Sequence, residues 1–190
     1  MTETLPPGRI ADVPTTGDPA LAALRRHIRD IPDFPQPGIL FRDITPLLGH
    51  GEVFRDLIDV MVTRYRGTID AVVAIESRGF IFGAPLAYAL GIGLIPVRKS
   101  GKLPGRTLSE DYALEYGTAT LEIHQDAISP AQRILLVDDL LATGGTARAA
   151  ATLVERLGGE VVGVFVLAEL SALGGRDALV GLDVTSLIVY

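Results

Sequence analysis

Ile134-Leu135-Leu136-Val137-Asp138-Asp139-Leu140-Leu141-Ala142-Thr143-Gly144-Gly145-Thr146 is the stretch that decides how this chain folds. It opens as an uncharged apolar run of strand length, the pattern of a strand buried on both faces. Two adjacent carboxylates come next, then a bend of small residues, then an Ala-rich segment, Ala147 to Leu157, that reads as a helix. At such a bend and helix start, backbone N–H groups point outward without partners and suit a phosphate. Gly144 and Gly145 let the backbone approach closely and adopt positive φ, and Thr143 and Thr146 add hydroxyl donors. Asp138 and Asp139 repel an anion but accept hydrogen bonds from hydroxyl groups. One end of the device wants an anion and the other a diol, about one ribose apart.

Other nucleotide devices do not fit. A P-loop requires Gly-x-x-x-x-Gly-Lys-Ser/Thr, and no lysine is present here. A dinucleotide fold places Gly-x-Gly-x-x-Gly before its acid, whereas here the acids come first.

Composition narrows the class further. The chain has 190 residues, 48% of them hydrophobic, which suits one domain with a substantial core. A formal net charge of −6 disfavours nucleic acid and anionic membranes as partners. With no cysteine, disulfides, zinc–thiolate sites and cysteine nucleophiles are excluded. No signal-peptide pattern and no uncharged run of membrane-spanning length is visible, so a cytoplasmic location is expected.

Outward from the central stretch, elements alternate. Residues 1–17 are rich in Pro, Thr and Gly and read as a flexible extension, leaving 18–190 as a single domain. Asp18-Pro19 starts a helix reaching about Asp30, and Ile39 to Pro46 reads as an irregular arm. Phe54, Leu57, Ile58, Met61 and Tyr65 recur at helical spacing over Gly51 to Arg66. Strands are expected at 71–75, 92–97, 119–124, 160–168 and 184–189, a helix at 80–90, and a weak helix at 171–181. Residues 98–118, rich in Gly, Pro and charge, read as a lid. Strand–helix alternation implies a mostly parallel sheet with helices on both faces, which binds ligands at the carboxyl ends of its strands.

Two further segments fit that site. Glu76-Ser77-Arg78-Gly79-Phe80 comes after a strand and opens a helix, offering N–H groups and an arginine to an anion. Arg98-Lys99-Ser100-Gly101-Lys102-Leu103-Pro104-Gly105-Arg106 places four cations in nine residues of an otherwise acidic chain. Closure of a lid carrying them would expel water and strengthen charge interactions inside. His27, His50 and His124 lack metal-ligand spacing, and no metal site made by the protein is expected.

The run from Asp138 to Thr146 resembles the phosphoribosyl-pyrophosphate motif of the type I phosphoribosyltransferases. Phe34-Pro35-x-Pro37-Gly38-x-x-Phe41-Arg42-Asp43-Ile44, Glu76 to Phe80, Gly101-Lys102-Leu103-Pro104 and Leu114-Glu115-Tyr116-Gly117 precede it in order. Together they are similar to the adenine-specific branch of that family over roughly residues 20–190. The resemblance implies the type I phosphoribosyltransferase fold: an α/β domain with a central, mostly parallel sheet flanked by helices, a small N-terminal hood and a flexible lid loop.

It also implies roles. Asp138 and Asp139 hold the ribose hydroxyls, and Ala142, Thr143, Gly144, Gly145 and Thr146 hold the 5-phosphate. Glu76, Ser77 and Arg78 receive pyrophosphate, with a cis peptide at Glu76–Ser77. Leu40, Phe41 and Arg42 form the hood over the base, Lys102 reaches pyrophosphate, and Tyr116 orders the lid. Glu115 and Arg78 make up the catalytic set, Glu115 as acid/base. The implied reaction joins adenine to phosphoribosyl pyrophosphate, giving AMP and pyrophosphate. Mg²⁺ arrives mainly through the bound substrate, and the protein is a homodimer. Alternatives are another purine base, or a non-catalytic regulator of the same fold that senses phosphoribosyl pyrophosphate.

Overall fold

The structure, a computed structural model, describes residues 19–113 and 117–190. The chain divides into two compact units, one ending at Tyr65 and the other starting at Arg66. The expected extension at 1–17 lies outside the described residues, as do Leu114, Glu115 and Tyr116.

The smaller unit comprises α1 (Pro19–Arg26), β1 (Arg29–Pro32), β2 (Leu40–Asp43), α2 (Thr45–Gly49) and α3 (Gly51–Tyr65). The first helix stops four residues before the expected Asp30, and residues 29–32 pair antiparallel with 40–43, Ile31 opposite Phe41. This ribbon lacks an apolar alternation that a sequence reading could detect. Crossed charges hold it instead: Arg29 Nη2 lies 2.6 Å from Asp43 Oδ2, and Arg42 pairs with Asp30. The Phe34 and Phe41 rings meet edge to face at 5.1 Å, and the Phe34–Pro35 peptide is cis. Asp43 also accepts the Thr45 N–H and hydroxyl, each at 2.9 Å, at the entry to α2. The Thr45 N–H, followed by Arg29, holds the Asp43 carboxyl below its ordinary range. In α3, Leu57, Ile58, Met61 and Tyr65 are buried as the periodicity forecasts, joined by Val53 and Val62, while Phe54 is half-buried.

The larger unit contains β3 (Ala71–Ile75), α4 (Gly79–Leu90), β4 (Gly93–Lys99), β5 (Thr107–Ala113), β6 (Thr118–His124), β7 (Arg133–Leu141), α5 (Gly145–Arg156), β8 (Glu160–Glu169) and β9 (Val184–Val189). Two short 3-10 turns, Ser171–Leu173 and Gly175–Leu179, replace the weak helix expected at 171–181. The seven strands form one sheet in the order β5-β6-β4-β3-β7-β8-β9. β4, β3, β7, β8 and β9 run parallel, while β6 is antiparallel to both of its neighbours, β4 and β5.

The central strands are apolar without interruption because both faces are covered. Ala71, Val73 and Ile75 share a cluster with Ala147, Ala150 and Val154 of α5. A Cβ on Gly83 of α4 would meet Ala74 Cβ at 2.7 Å and Val72 at 3.3 Å. Alternate residues of β3 therefore face different helices, as the two-residue strand period demands.

Much of the segment expected as a lid loop is an antiparallel arm. β5 pairs with β6 from Thr107 opposite His124 to Ala113 opposite Thr118. Leu108 and Tyr112 pack on the core from one face of β5, and between them Glu110 lies 2.7 Å from Arg156 Nη1. The charged residues that suggest a loop are the polar positions of a half-covered strand. Among the described residues no helix is long and apolar enough to cross a membrane.

An ion pair joins β3 and β7 at their amino ends. Asp70 accepts Arg133 Nε at 3.0 Å, Nη2 at 2.7 Å and the Arg133 N–H at 2.9 Å. Hydrogen bonds from the Arg133 side chain, then its N–H, bring the Asp70 carboxyl down to about 2. A depressed carboxyl pKa contributes stability above its unfolded value and loses it as pH falls through the folded value. Asp70→Asn is therefore expected to be less stable than the parent at neutral pH. Its deficit should shrink between the ordinary value of 3.8 and about 2, as read by urea unfolding across that window.

Candidate active site

β3 and β7 are parallel neighbours, Val73 opposite Leu136 and Ala74 opposite Val137, so both strands deliver the chain to the same edge of the sheet. After β3 comes the Glu76–Ser77 peptide, which is cis as the resemblance implies, then Arg78 and the first turn of α4. On β7 the acid pair is reached before the strand ends. Leu140 and Leu141 continue it, pairing with Ala168 and Glu169.

Gly79 brings the two segments together. A Cβ there would lie 2.5 Å from the Val137 carbonyl oxygen and 3.3 Å from Asp138 Oδ1. Glycine alone allows the start of α4 to lie this close to the acid-bearing strand. Arg78 then reaches Asp139, Nε to Oδ2 at 3.0 Å. The Arg78 side chain remains 40% exposed, whereas the Asp139 side chain is 9% exposed, so a partly solvated cation neutralises a buried charge. Asp138 Oδ1 accepts the Asp139 N–H at 2.9 Å.

These surroundings separate the two acids. Burial pushes the Asp138 carboxyl well above the carboxylate range, and the neighbouring Asp139 charge pushes it further. Burial raises Asp139 as well, but the Arg78 charge opposes the rise.

The small-residue bend forms the second half of the site. Gly144 has φ of +84° and precedes α5, which starts at Gly145, two residues earlier than its alanine content implies. The Arg148 N–H bonds the Gly144 carbonyl at 2.9 Å. The N–H groups of Gly145, Thr146 and Ala147 consequently have no partner within the helix. Among the described residues no side chain caps this terminus. Thr143 is exposed, and Ala142 and Thr146 are half-buried. This is an anion-binding arrangement at one end of a strand–bend–helix whose other end carries the two acids.

The remaining expected residues divide into three groups. Glu76 directs its carboxylate to β4: Oε1 takes Arg98 Nη2 and Oε2 takes the Lys99 N–H, both at 3.0 Å. The Arg98 hydrogen bond is the main cause holding its carboxyl below the usual range. Arg98 Nη1 also donates to the Lys102 carbonyl at 2.9 Å, linking the turn after β3 to the segment bearing Lys102, whose side chain is exposed. In the sequence Arg98 is one of several loop cations, and this link is not visible there. The available signal is a Glu and an Arg each just past, or near, the end of adjacent parallel strands. Leu40, Phe41 and Arg42 sit on β2 of the smaller unit, Leu40 exposed, Phe41 against Phe34 and Arg42 paired with Asp30. Glu115 and Tyr116 lie outside the described residues.

The phosphoribosyl transferase domain model matches residues 48–185. Adenine phosphoribosyltransferase of Acidothermus cellulolyticus is 58% identical over 163 residues, 85% of this chain and 92% of that one. The chain belongs to the adenine phosphoribosyltransferase family. Among solved structures of that family, the Thermoanaerobacter pseudethanolicus protein superposes with a TM-score of 0.86 at 53% identity, covering 90% of this chain and 99% of that one. The Saccharomyces cerevisiae member, crystallised with adenine and an imino-altritol bisphosphate, gives 0.85 at 39% identity, covering 88% and 98%. The fold expected for the family, a mostly parallel sheet flanked by helices, is the one observed.

A carboxyl held above its unfolded pKa by burial costs stability once pH passes that unfolded value, because the unfolded chain ionises more readily. Asp138→Asn keeps the acceptor for the Asp139 N–H and removes the buried charge. We expect it to gain about 1 kcal/mol at pH 7, or a Tm roughly 2–4 °C higher by calorimetry, while losing activity.

Proposed function

We propose that this chain transfers the phosphoribosyl group of phosphoribosyl pyrophosphate to adenine, releasing AMP and pyrophosphate. The observation that carries the reading is the pairing of two adjacent acids, Asp139 buried and Asp138 half-buried, with an uncapped helix start on one strand–bend–helix, in a chain that matches adenine phosphoribosyltransferases over most of its length.

That pairing dictates the chemistry. The C1–O bond to pyrophosphate breaks and a C1–N bond to the base forms, while the base ring nitrogen loses its proton. As C1–O breaks, positive charge develops on the ribose. Asp138 and Asp139 accept the ribose hydroxyls, and the negative charge the pair carries, favoured on Asp139 by Arg78, stabilises the ring as it becomes cationic. Ala142, Thr143, Gly144, Gly145 and Thr146 hold the 5-phosphate. With both ends of the sugar fixed, the anomeric carbon is positioned for attack, and proximity accounts for much of the rate. Arg78 and the turn at Glu76 and Ser77 receive pyrophosphate, with Lys102; the Ser77 N–H is the turn's donor, since the Glu76 N–H bonds the Val97 carbonyl at 2.9 Å. Leu40, Phe41 and Arg42 contact the base, Tyr116 orders the lid, and Glu115 takes the proton from the base nitrogen. Residues 18–190 act as one phosphoribosyltransferase domain.

Among the described residues no three His, Asp or Glu side chains converge as a metal cage. The donors present, two adjacent carboxylates beside a phosphate cradle, fit Mg²⁺, which takes one or two carboxylates together with substrate oxygens. Bound with the substrate, Mg²⁺ supplies charge neutralisation on the pyrophosphate leaving group. The enzyme works as a cytoplasmic homodimer in purine salvage.

The deciding experiment offers adenine, hypoxanthine, guanine, xanthine and orotate in turn, with phosphoribosyl pyrophosphate and Mg²⁺, and identifies the nucleotide formed. AMP should be the main product, and no nucleotide from any base would leave a binding protein rather than an enzyme. The combined variant Asp138→Asn, Asp139→Asn should lose at least about 100-fold in kcat/KM, since each hydrogen bond to a charged group is worth ~1.5–3 kcal/mol. A folded double variant with parental kinetics would remove the acids from the mechanism.

A further inference from the structure

The 3-10 turn Gly175–Leu179 lies against the phosphate bend through two reciprocal glycine contacts. A Cβ on Gly144 would stand 2.3 Å from the Gly175 carbonyl oxygen, and a Cβ on Gly175 would stand 2.3 Å from the Ala142 carbonyl oxygen. Each backbone occupies the space where the other would carry a side chain. The course of residues 142–144, and with it the direction of the N–H groups at the start of α5, is therefore set by where Gly175 is held.

The next residue anchors Gly175. Arg176 donates Nε to Glu169 Oε1 and Nη2 to Glu169 Oε2, both at 2.8 Å, a two-pronged pair with the carboxylate at the end of β8. Arg176 Nη1 donates to the Val184 carbonyl at 3.1 Å, and Nη2 to the Ser186 hydroxyl at 2.9 Å, both on β9. Ser186 in turn donates to Glu169. Glu169 is buried, and hydrogen bonding from Arg176 keeps its carboxyl below the ordinary range. A guanidinium fork thus fastens a short turn, with little helical cohesion of its own, to two sheet strands.

We propose that Arg176, held by Glu169 and Ser186, is a positioning residue for the 5-phosphate: it fixes Gly175, which sets the bend 142–144 in its phosphate-binding shape. Arg176 itself does not touch the substrate. The inference rests on residues 142–146 being the phosphate site.

The test compares the affinities of AMP and adenosine, which differ only by the phosphate, using calorimetry on the parent, Arg176→Lys and Ser186→Ala. Lysine keeps the charge but cannot make the fork, and Ser186→Ala removes one brace while leaving the ion pair. In the parent, AMP should bind far more tightly than adenosine. In Arg176→Lys that ratio should fall about tenfold, since small misplacements of a binding group are costly, with adenosine affinity unchanged. Ser186→Ala should lower it in the same direction by roughly twofold to threefold, and it decides the matter if Arg176→Lys does not fold. A structural role alone would lower Tm and leave the ratio intact in the folded protein. Folded variants with the parental ratio would overturn the inference. A parent that binds AMP no better than adenosine would instead overturn the phosphate reading beneath it.

Discussion

Two adjacent carboxylates near the carboxyl end of a buried strand form an electrostatic conflict, and much of the site is arranged around it. Asp138 and Asp139 repel each other, and burial disfavours the charged form of both. Arg78 relieves one side of the conflict at 3.0 Å from Asp139. It can do so because Gly79 allows α4 to begin against the Val137 carbonyl. The parallel pairing of β3 with β7 then brings the turn after one strand beside the acids on the other. Remove any of these and the acids either lose their counter-ion or move apart from the anion-binding turn. The proposed function is placed on a locally unfavourable arrangement that the surrounding sheet holds in position.

The same sheet edge carries a second constraint, made of backbone rather than charge. Gly144 and Gly175 pack without side chains between them, so the bend at the start of α5 and the turn after β8 share one volume. Glu76 and Arg98 make a third link, from the turn after β3 to the end of β4 and on to the Lys102 carbonyl. The site is therefore a set of short segments braced against one another at the ends of β3, β4, β7 and β8. Rigid supports of this kind hold binding groups within the tolerance that catalysis by proximity requires.

Much of this is legible in the chain itself, for physical reasons. Ala71 to Ile75 and Ile134 to Val137 are apolar throughout because both faces of the central strands are covered, so they announce themselves. The bend from Ala142 to Thr146 is legible because its chemistry needs small residues and positive φ in one place. The features that escape a sequence reading depend on contacts distant in the chain. The ribbon of β1 and β2 rests on Arg29 with Asp43 and Arg42 with Asp30, pairs that no periodicity reveals. β5 is hidden by its charges, which are the outward positions of a half-covered strand and, at Glu110, a partner for Arg156. Arg98 reads as one of four lid cations and Arg176 stands in no pattern, because their carboxylates, Glu76 and Glu169, are brought to them only by the fold.

The central claim is that one strand–bend–helix grips a single pentose phosphate from both ends. A crystal structure with AMP tests it most directly. The phosphate should lie within hydrogen-bonding distance of the N–H groups at the start of α5, and the ribose hydroxyls should reach Asp138 and Asp139. AMP bound at another place, with the bend from Ala142 to Thr146 and the two acids untouched, would contradict it.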